Sequence, residues 1–501
     1  MRIVDMLPKI FSKLKSRFIS SLRDPIVFIY IAVSIYVLIF TYMSFLQYFS
    51  FVYVADFCIY EHVIWRMSSE SSLFGLSYTD GSLVNSIFHY NPIFIFLAIP
   101  YYFIPTPLFL LFIKSFLIGI GAIPIYKLAN YKLKSVIGGF IFSLCYLLNP
   151  AVHGVELYEF HPVFIAMPLL IWDFYFIEKN DYKKGIIFSI LSLLVQENVS
   201  ITIFLLGTYF LFRKKKKIFC LTLMSLSILW LIFSSFIMMP ILYKGTSLVF
   251  VYRFNGLGNT LLDVINTVLT NPIYSLTRSF FRERIEFLIK MFLPLSFFSL
   301  FSPVLLISSF EYGMHILFDN IPRFGIHHGA LMTPFTFIAA IYGVKRISYF
   351  IRKKISFEVL HMFLLLLLII SIYSNISFSP FWIAYQTLNF GLYDHYTDVK
   401  SIVASLPKNS SIIVQDNLCI FASHFSDVKL LQWYISDIVH NITQKRFDFI
   451  ILDKGVSRMP EEDVKILNEI ILNDFIKIYS KDGIEIYKLK QNDNLGNLGW
   501  A

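Results

Sequence analysis

Charge is what this 501-residue chain has least of: only 15% of its side chains are Asp, Glu, Lys or Arg, while 56% are hydrophobic. Soluble domains carry roughly one-quarter charged residues, so a water-solvated globule is excluded for most of the length. Cysteine is scarce as well. Cys58, Cys145, Cys220 and Cys419 are widely spaced and form no paired motif, which points to neither a disulfide framework nor a zinc site. No fixed-period repeat is present, and the one low-complexity tract, Lys214 to Lys217, reads as a cytoplasmic topology anchor rather than a nuclear signal.

What is present is large and apolar. Phe alone occurs 54 times, and so many big apolar side chains cannot all be hidden in one core; most must face lipid or other membrane helices. The mean hydropathy of +0.66 agrees. The formal charge of +10 resembles that of a nucleic-acid binder, but the basic residues stand in short clusters between uncharged runs, the pattern that orients membrane proteins. No nucleic-acid partner is expected.

Residues 1–24 carry Ile3, Leu7, Ile10, Phe11, Leu14 and Phe18 at helical spacing among Lys9, Lys13, Lys15 and Arg17. They predict a basic amphipathic interfacial helix rather than a cleavable signal. Uncharged runs then place spans near 26–47, 106–126, 135–150, 162–178, 185–196, 198–212, 218–241, 287–302, 303–318, 328–344 and 356–374, about eleven in all, several of them short enough to merge or be re-entrant. With these spans, one set of connecting segments holds 22 Lys and Arg against 4 acids, and the opposite set holds 7 against 12. The first set belongs inside, which puts the N-terminus in the cytoplasm and, after an odd number of spans, the C-terminus outside.

The expected fold is therefore a polytopic α-helical membrane protein, with a transmembrane part over 25–374, an external first loop over 51–90 and a small extracytoplasmic α/β domain over 375–501. In that last part strand-like runs at Ser411–Val414, Phe449–Leu452, Ile476–Tyr479 and Ile484–Leu489 alternate with helix-like segments at Asp398–Leu406 and Glu461–Asp474. Sequons at Asn375, Asn409 and Asn441 are compatible with an external position.

Candidate site residues gather where outward loops meet the membrane. Asp56 lies just beyond the first span and reads equally as a general base, a metal ligand or a hydrated interfacial acid. Glu61 follows five residues on, at a different angle of a helix, and is more simply a hydrated acid. His89 is suited to orient a hydroxyl, and an ordinary interfacial role beside Tyr90 fits it as well. Glu159 and His161 fall between two spans. Glu197 sits in a turn with almost no loop around it, between two uncharged runs, where acids face a cavity or a partner. Arg253, Arg278, Arg282, Arg284 and Arg323, the last just before His327 and His328, suit phosphate oxygens through their planar forks, or a solvated face near headgroups. Lys114 lies inside a span and must snorkel, pair or line a cavity.

The ordered set from Asp56-Phe57 to Trp65, His89-Tyr90-Asn91-Pro92, Phe160-His161-Pro162, Glu197-Asn198-Val199 and His328 with Pro334, followed by Val414-Gln415-Asp416-Asn417 and Asp453, resembles the prokaryotic family catalogued as domain of unknown function 2079. That family is similar in layout to GT-C glycosyltransferases, which move a sugar from a polyprenyl-phosphate carrier to an acceptor outside the cytoplasm. The resemblance implies Asp56 as the catalytic acid of the first external loop. It implies Glu61, His89, Glu159, His161, Glu197 and His328 around acceptor or sugar, and the arginines around the phosphate. Glu61-His62 and Asn198 stand where an Asp-Gln pair and an Asp would be expected, so a divalent metal is left open and no other cofactor is implied. The rival readings are a transporter or flippase for a lipid or polar solute, and a non-catalytic membrane scaffold.

Overall fold

The computed structural model describes residues 25–69, 89–242, 257–258, 261–277, 281–317, 324–352, 359–388, 393–425, 427–431, 447–454 and 461–490. The interfacial helix expected over 1–24, the sequon at Asn441, and Arg253, Arg278 and Arg323 lie outside them. The chain forms two compact units: Met1–Ser44, His89–Ile93 and Leu111–Thr387 make one, and Phe45–Phe88, Phe94–Leu110 and Leu388–Ala501 the other.

Helices dominate the first unit because its sequence offers long apolar runs with few charges to interrupt them. Among the described residues four helices are long and apolar enough to cross a membrane: Ile26–Phe49, Pro107–Leu133, Lys217–Ile241 and Val359–Gln386. A fifth span arises if Val136–Leu147 and Pro150–Leu157, bent by 43°, are counted together. Their outer faces are apolar, as in Leu38 and Ile218, which are 71% and 73% exposed. Lipid is the only solvent in which that surface is stable.

Tyr182–Leu193 and Val199–Phe212 are helical where spans were expected, but they hold only 12 and 14 residues. The stretch expected to give spans at 287–302 and 303–318 is different in kind. Helix Phe281–Phe292 ends in three 3-10 turns, Leu293–Leu295, Phe298–Phe301 and Pro303–Ser308, before helix Ser309–Leu317. Pro294 and Pro303 each lack an N–H for the helical ladder, and Ser296 and Phe297 take left-handed backbone conformations between them.

The C-terminal part of the second unit is a five-stranded mixed sheet: β1 Ser411–Val414, β2 Asp427–Leu430, β3 Phe449–Asp453, β4 Phe475–Lys481 and β5 Ile484–Leu489, in the order β2-β1-β3-β5-β4. β1 pairs in parallel with β2 and β3, and the β4–β5 hairpin closes antiparallel on β3. Helix Glu461–Asp474 lays Leu467 and Ile471 over Ile450, Leu452 and Tyr487 to form the core. Four strands and this helix lie where the sequence pattern placed them.

The cysteines require a correction. Cys58 and Cys419, 361 residues apart, form a disulfide with a Cα separation of 5.7 Å. The bond is long-range, so no spacing motif announces it. Cys58 belongs to helix Ala55–Ser69 of the first loop and Cys419 to the short helix Cys419–Ala422 after β1, so the covalent link joins two stretches of the same unit.

Candidate functional site

Four breaks between apolar helices meet in the first unit: 89–93, 158–161, 194–198 and 324–328. Irregular backbone inside an apolar body is tolerated only where its polar groups are satisfied by protein or line a cavity, and here 89–93 and 194–198 bond to one another. The Ile93 amide donates to the Leu194 carbonyl at 2.9 Å, and the Asn91 side-chain amide donates to the Val195 carbonyl at 2.6 Å. Glu197 completes the seam. Its carboxylate takes His89 Nδ1 at 2.6 Å and the Tyr90 amide at 3.2 Å, while the Gln196 amide lies 3.0 Å from His89 Nδ1.

From His89 a series of imidazole rings runs inward. His89 meets His161 edge-on at 5.7 Å, and His161 stacks on His327 at 3.9 Å with an 8° interplanar angle. His327 touches His328 at 4.1 Å, and His328 meets His315 at 5.0 Å. A second carboxylate, Glu311, lies 3.4 Å from the Asn198 amide at the other end of the series. His161, Glu197, Glu311 and His315 are all buried.

The turn that carries His161 is held from below by Lys114, which is fully buried in helix Pro107–Ile120. Its ammonium donates to the carbonyls of Tyr158 and Glu159 at the C-terminal end of helix Pro150–Leu157, where a cation complements the exposed carbonyls. The segment carrying His327 and His328 rests on the same helix through a contact between glycines. A Cβ on Gly154 would come within 2.2 Å of the Gly325 Cα.

Helix Ser309–Leu317 has two distinct faces. Glu311 and His315, one turn apart, belong to the polar series. Ser309, Tyr312, Gly313 and Ile316 line a groove of about 920 Å³ whose walls are otherwise almost wholly apolar, with Phe292, Leu305, Phe350 and the single cation Arg346 among them.

Of the residues expected to act, His89, His161, Glu197 and His328 are thus brought together. Glu159 is buried beside them, its carbonyl taken by Lys114. Glu311, His315 and His327 complete the group; His327 adjoins His328, and the sequence signal for the other two is the crowding of two acids and three histidines into 311–328. Arg282 is exposed and Arg284 buried on helix Phe281–Phe292, two residues and so about 200° apart, so the two do not share a helix face. Among the described residues no three His, Cys, Asp or Glu side chains are set to hold a metal ion.

Asp56 and Glu61 belong to the second unit. Asp56 is half-buried in the first turn of helix Ala55–Ser69, where a carboxylate suits the helix dipole. Glu61 is completely enclosed. Its Oε1 accepts from the Tyr101 hydroxyl and lies 2.7 Å from His424 Nε2.

Residues 56–486 match the family described as "Predicted membrane protein (DUF2079)". The chain belongs to that family. No curated protein matches it significantly. The DUF2079 match spans the whole histidine series, from His89 to His328, and the second unit from Asp56 to the first half of β5.

Proposed function

We propose that this DUF2079 protein is a multi-pass membrane enzyme of glycosyltransferase type that takes a sugar from a polyprenyl-phosphate carrier at the outer face of a cell membrane. The observation that carries the reading is the two-faced helix Ser309–Leu317, which joins an apolar groove fit for an isoprenoid chain to the histidine series. Imidazole N–H groups are charge-compatible donors for phosphate oxygens. Held in place by Glu197, they would stabilise the charge that develops on the phosphate as the sugar leaves, without reorganising.

The Cys58–Cys419 disulfide supports an extracytoplasmic position for the first-loop helix and the sheet, because such bonds persist on the oxidising side of the membrane. The excess of Lys and Arg in the opposite segments supports a cytoplasmic N-terminus. A proton- or solute-coupled transporter is the second reading. It is favoured by the bent helix pair and by the short apolar helices that stop at Glu197, since broken helices build transporter sites.

The test uses the full chain in lipid vesicles supplied with polyprenyl-phosphate sugars. Sugar release is expected from the wild type and should fall at least about 100-fold in Glu197→Ala, in line with the loss of one preorganised polar group. Solute uptake driven by a pH gradient, with no release from any donor, would instead select the transporter.

A further inference from the structure

The groove beside helix Ser309–Leu317 runs away from the histidine series along helix Gly329–Arg352. At one end Tyr312 shares a 2.7 Å hydrogen bond with Thr336. At the other stand Arg346, Ile347 and Phe350, and Arg346 follows Thr336 by about 15 Å of helical rise. Counted from Gly329, which adjoins His328, Arg346 lies about 25 Å along the same helix, close to the hydrocarbon thickness of a bilayer, about 30 Å. The guanidinium is therefore set toward the membrane surface opposite the histidines. The groove wall is open to lipid there: Leu306 is 65% and Phe350 57% exposed.

Arg346 is exposed and makes no hydrogen bond or ion pair among the described residues. Its neighbour Lys345 and the loop residue Lys215 both act electrostatically on Lys132, and the acid in their midst, Glu178, is already taken by Lys132. This end of the helix thus carries more positive charge than the protein neutralises. A cation on an apolar wall at the membrane is stable when its head reaches water or pairs with an anion.

We propose that this end of the groove binds an anionic membrane phospholipid, its phosphate held by Arg346 and one acyl chain lying along Phe301, Leu306, Ile347 and Phe350. The planar fork of the guanidinium makes two parallel charge-assisted bonds to phosphate oxygens, and Lys345 adds a second positive charge about 100° around the helix. The walls supply what a free phosphate cannot use, an apolar bed for the chain. The lysine and arginine excess that supports a cytoplasmic N-terminus sets this end in the cytoplasmic leaflet, where anionic headgroups attract basic side chains. The carrier phosphate of the transfer reading belongs at the other end, beside the histidines, so the phospholipid site stands whether or not the chain moves a sugar.

Native mass spectrometry of the full chain tests this, with the protein stripped of lipid in detergent and titrated with phosphatidylglycerol, with phosphatidylcholine of the same chains, or with glycerol phosphate. The wild type is expected to bind phosphatidylglycerol at least about fivefold more tightly than phosphatidylcholine, the scale of one cation at a membrane surface, and to ignore glycerol phosphate. Arg346→Gln should erase most of that preference and Arg346→Lys keep part of it. Lys217→Gln, which removes an exposed cation at the start of helix Lys217–Ile232 and outside the groove, should leave it unchanged. Leu306→Trp, which fills the groove, should weaken both lipids together. An unchanged preference in Arg346→Gln, or an equal loss in Lys217→Gln, would reduce the effect to general surface charge and overturn the site. Indifference to Leu306→Trp, or glycerol phosphate binding as tightly as the lipid, would take the groove out of the recognition and overturn it as well.

Discussion

A Lys114→Met variant is expected to lose roughly 3–5 kcal/mol of folding stability, the scale of removing one partner from a buried charged group. Methionine replaces most of the volume of the lysine stem, so packing is nearly kept and the loss isolates the ammonium. What the ammonium leaves behind is costly. The carbonyls of Tyr158 and Glu159 lose their donor, and Glu156, fully buried with Ser115 Oγ donating to it at 2.6 Å, loses the nearby positive charge. The midpoint of thermal unfolding in detergent should drop accordingly. Because much of the penalty is the stranded Glu156 carboxylate, the double variant Lys114→Met/Glu156→Gln should recover at least about 1 kcal/mol relative to simple addition. Strict additivity would show that Lys114 acts on the helix-end carbonyls alone.

That buried lysine shows how far the sequence could be read. A charge inside an apolar run had three outcomes open to it, and only the tertiary structure selects pairing with a helix end 44 residues away. Long helices were legible because hydrophobic runs are local signals, and β1, β3, β4 and β5 because their apolar alternation is bounded by turns. β2 was missed: Asp427-Val428-Lys429-Leu430 is four residues long, half of them charged, and lies at the sheet edge. The spans expected over 287–318 failed because hydropathy does not register that Pro294 and Pro303 interrupt the hydrogen-bond ladder. Glu197 was recognised from its confinement, yet its bond to His89 joins residues 108 apart and no periodicity encodes it. Cys58, Glu61, His62 and Trp65 did carry a usable signal. Four chemically distinctive side chains on one helical face mark a face that is docked, though not what docks there.

Gly154→Val is expected to disable the histidine series while leaving each of its polar groups in the chain. Gly154 lies in helix Pro150–Leu157 with its missing side chain aimed at backbone: an added Cβ would stand 2.2 Å from the Cα and 2.7 Å from the carbonyl carbon of Gly325. Gly325 has little freedom to retreat. It holds a left-handed φ of +86°, and a Cβ there would itself lie 2.9 Å from Pro380 Cγ. Any side chain at 154 must therefore drive the segment 324–328 outward by roughly 1 Å, since well-packed interiors cannot absorb such an overlap. His327 would then leave its stack on His161, and His328 its contact with His315. A displacement of that size costs on the order of 100-fold in a positioned reaction, and overpacking adds about 1–3 kcal/mol of destabilisation. Sugar release in vesicles and the unfolding midpoint should fall together in Gly154→Val, whereas Glu197→Ala should lower release with a smaller change in the midpoint. Undiminished release in Gly154→Val would mean that the position of His327 and His328 has no part in the chemistry, and the donor phosphate would have to be sought elsewhere in the molecule.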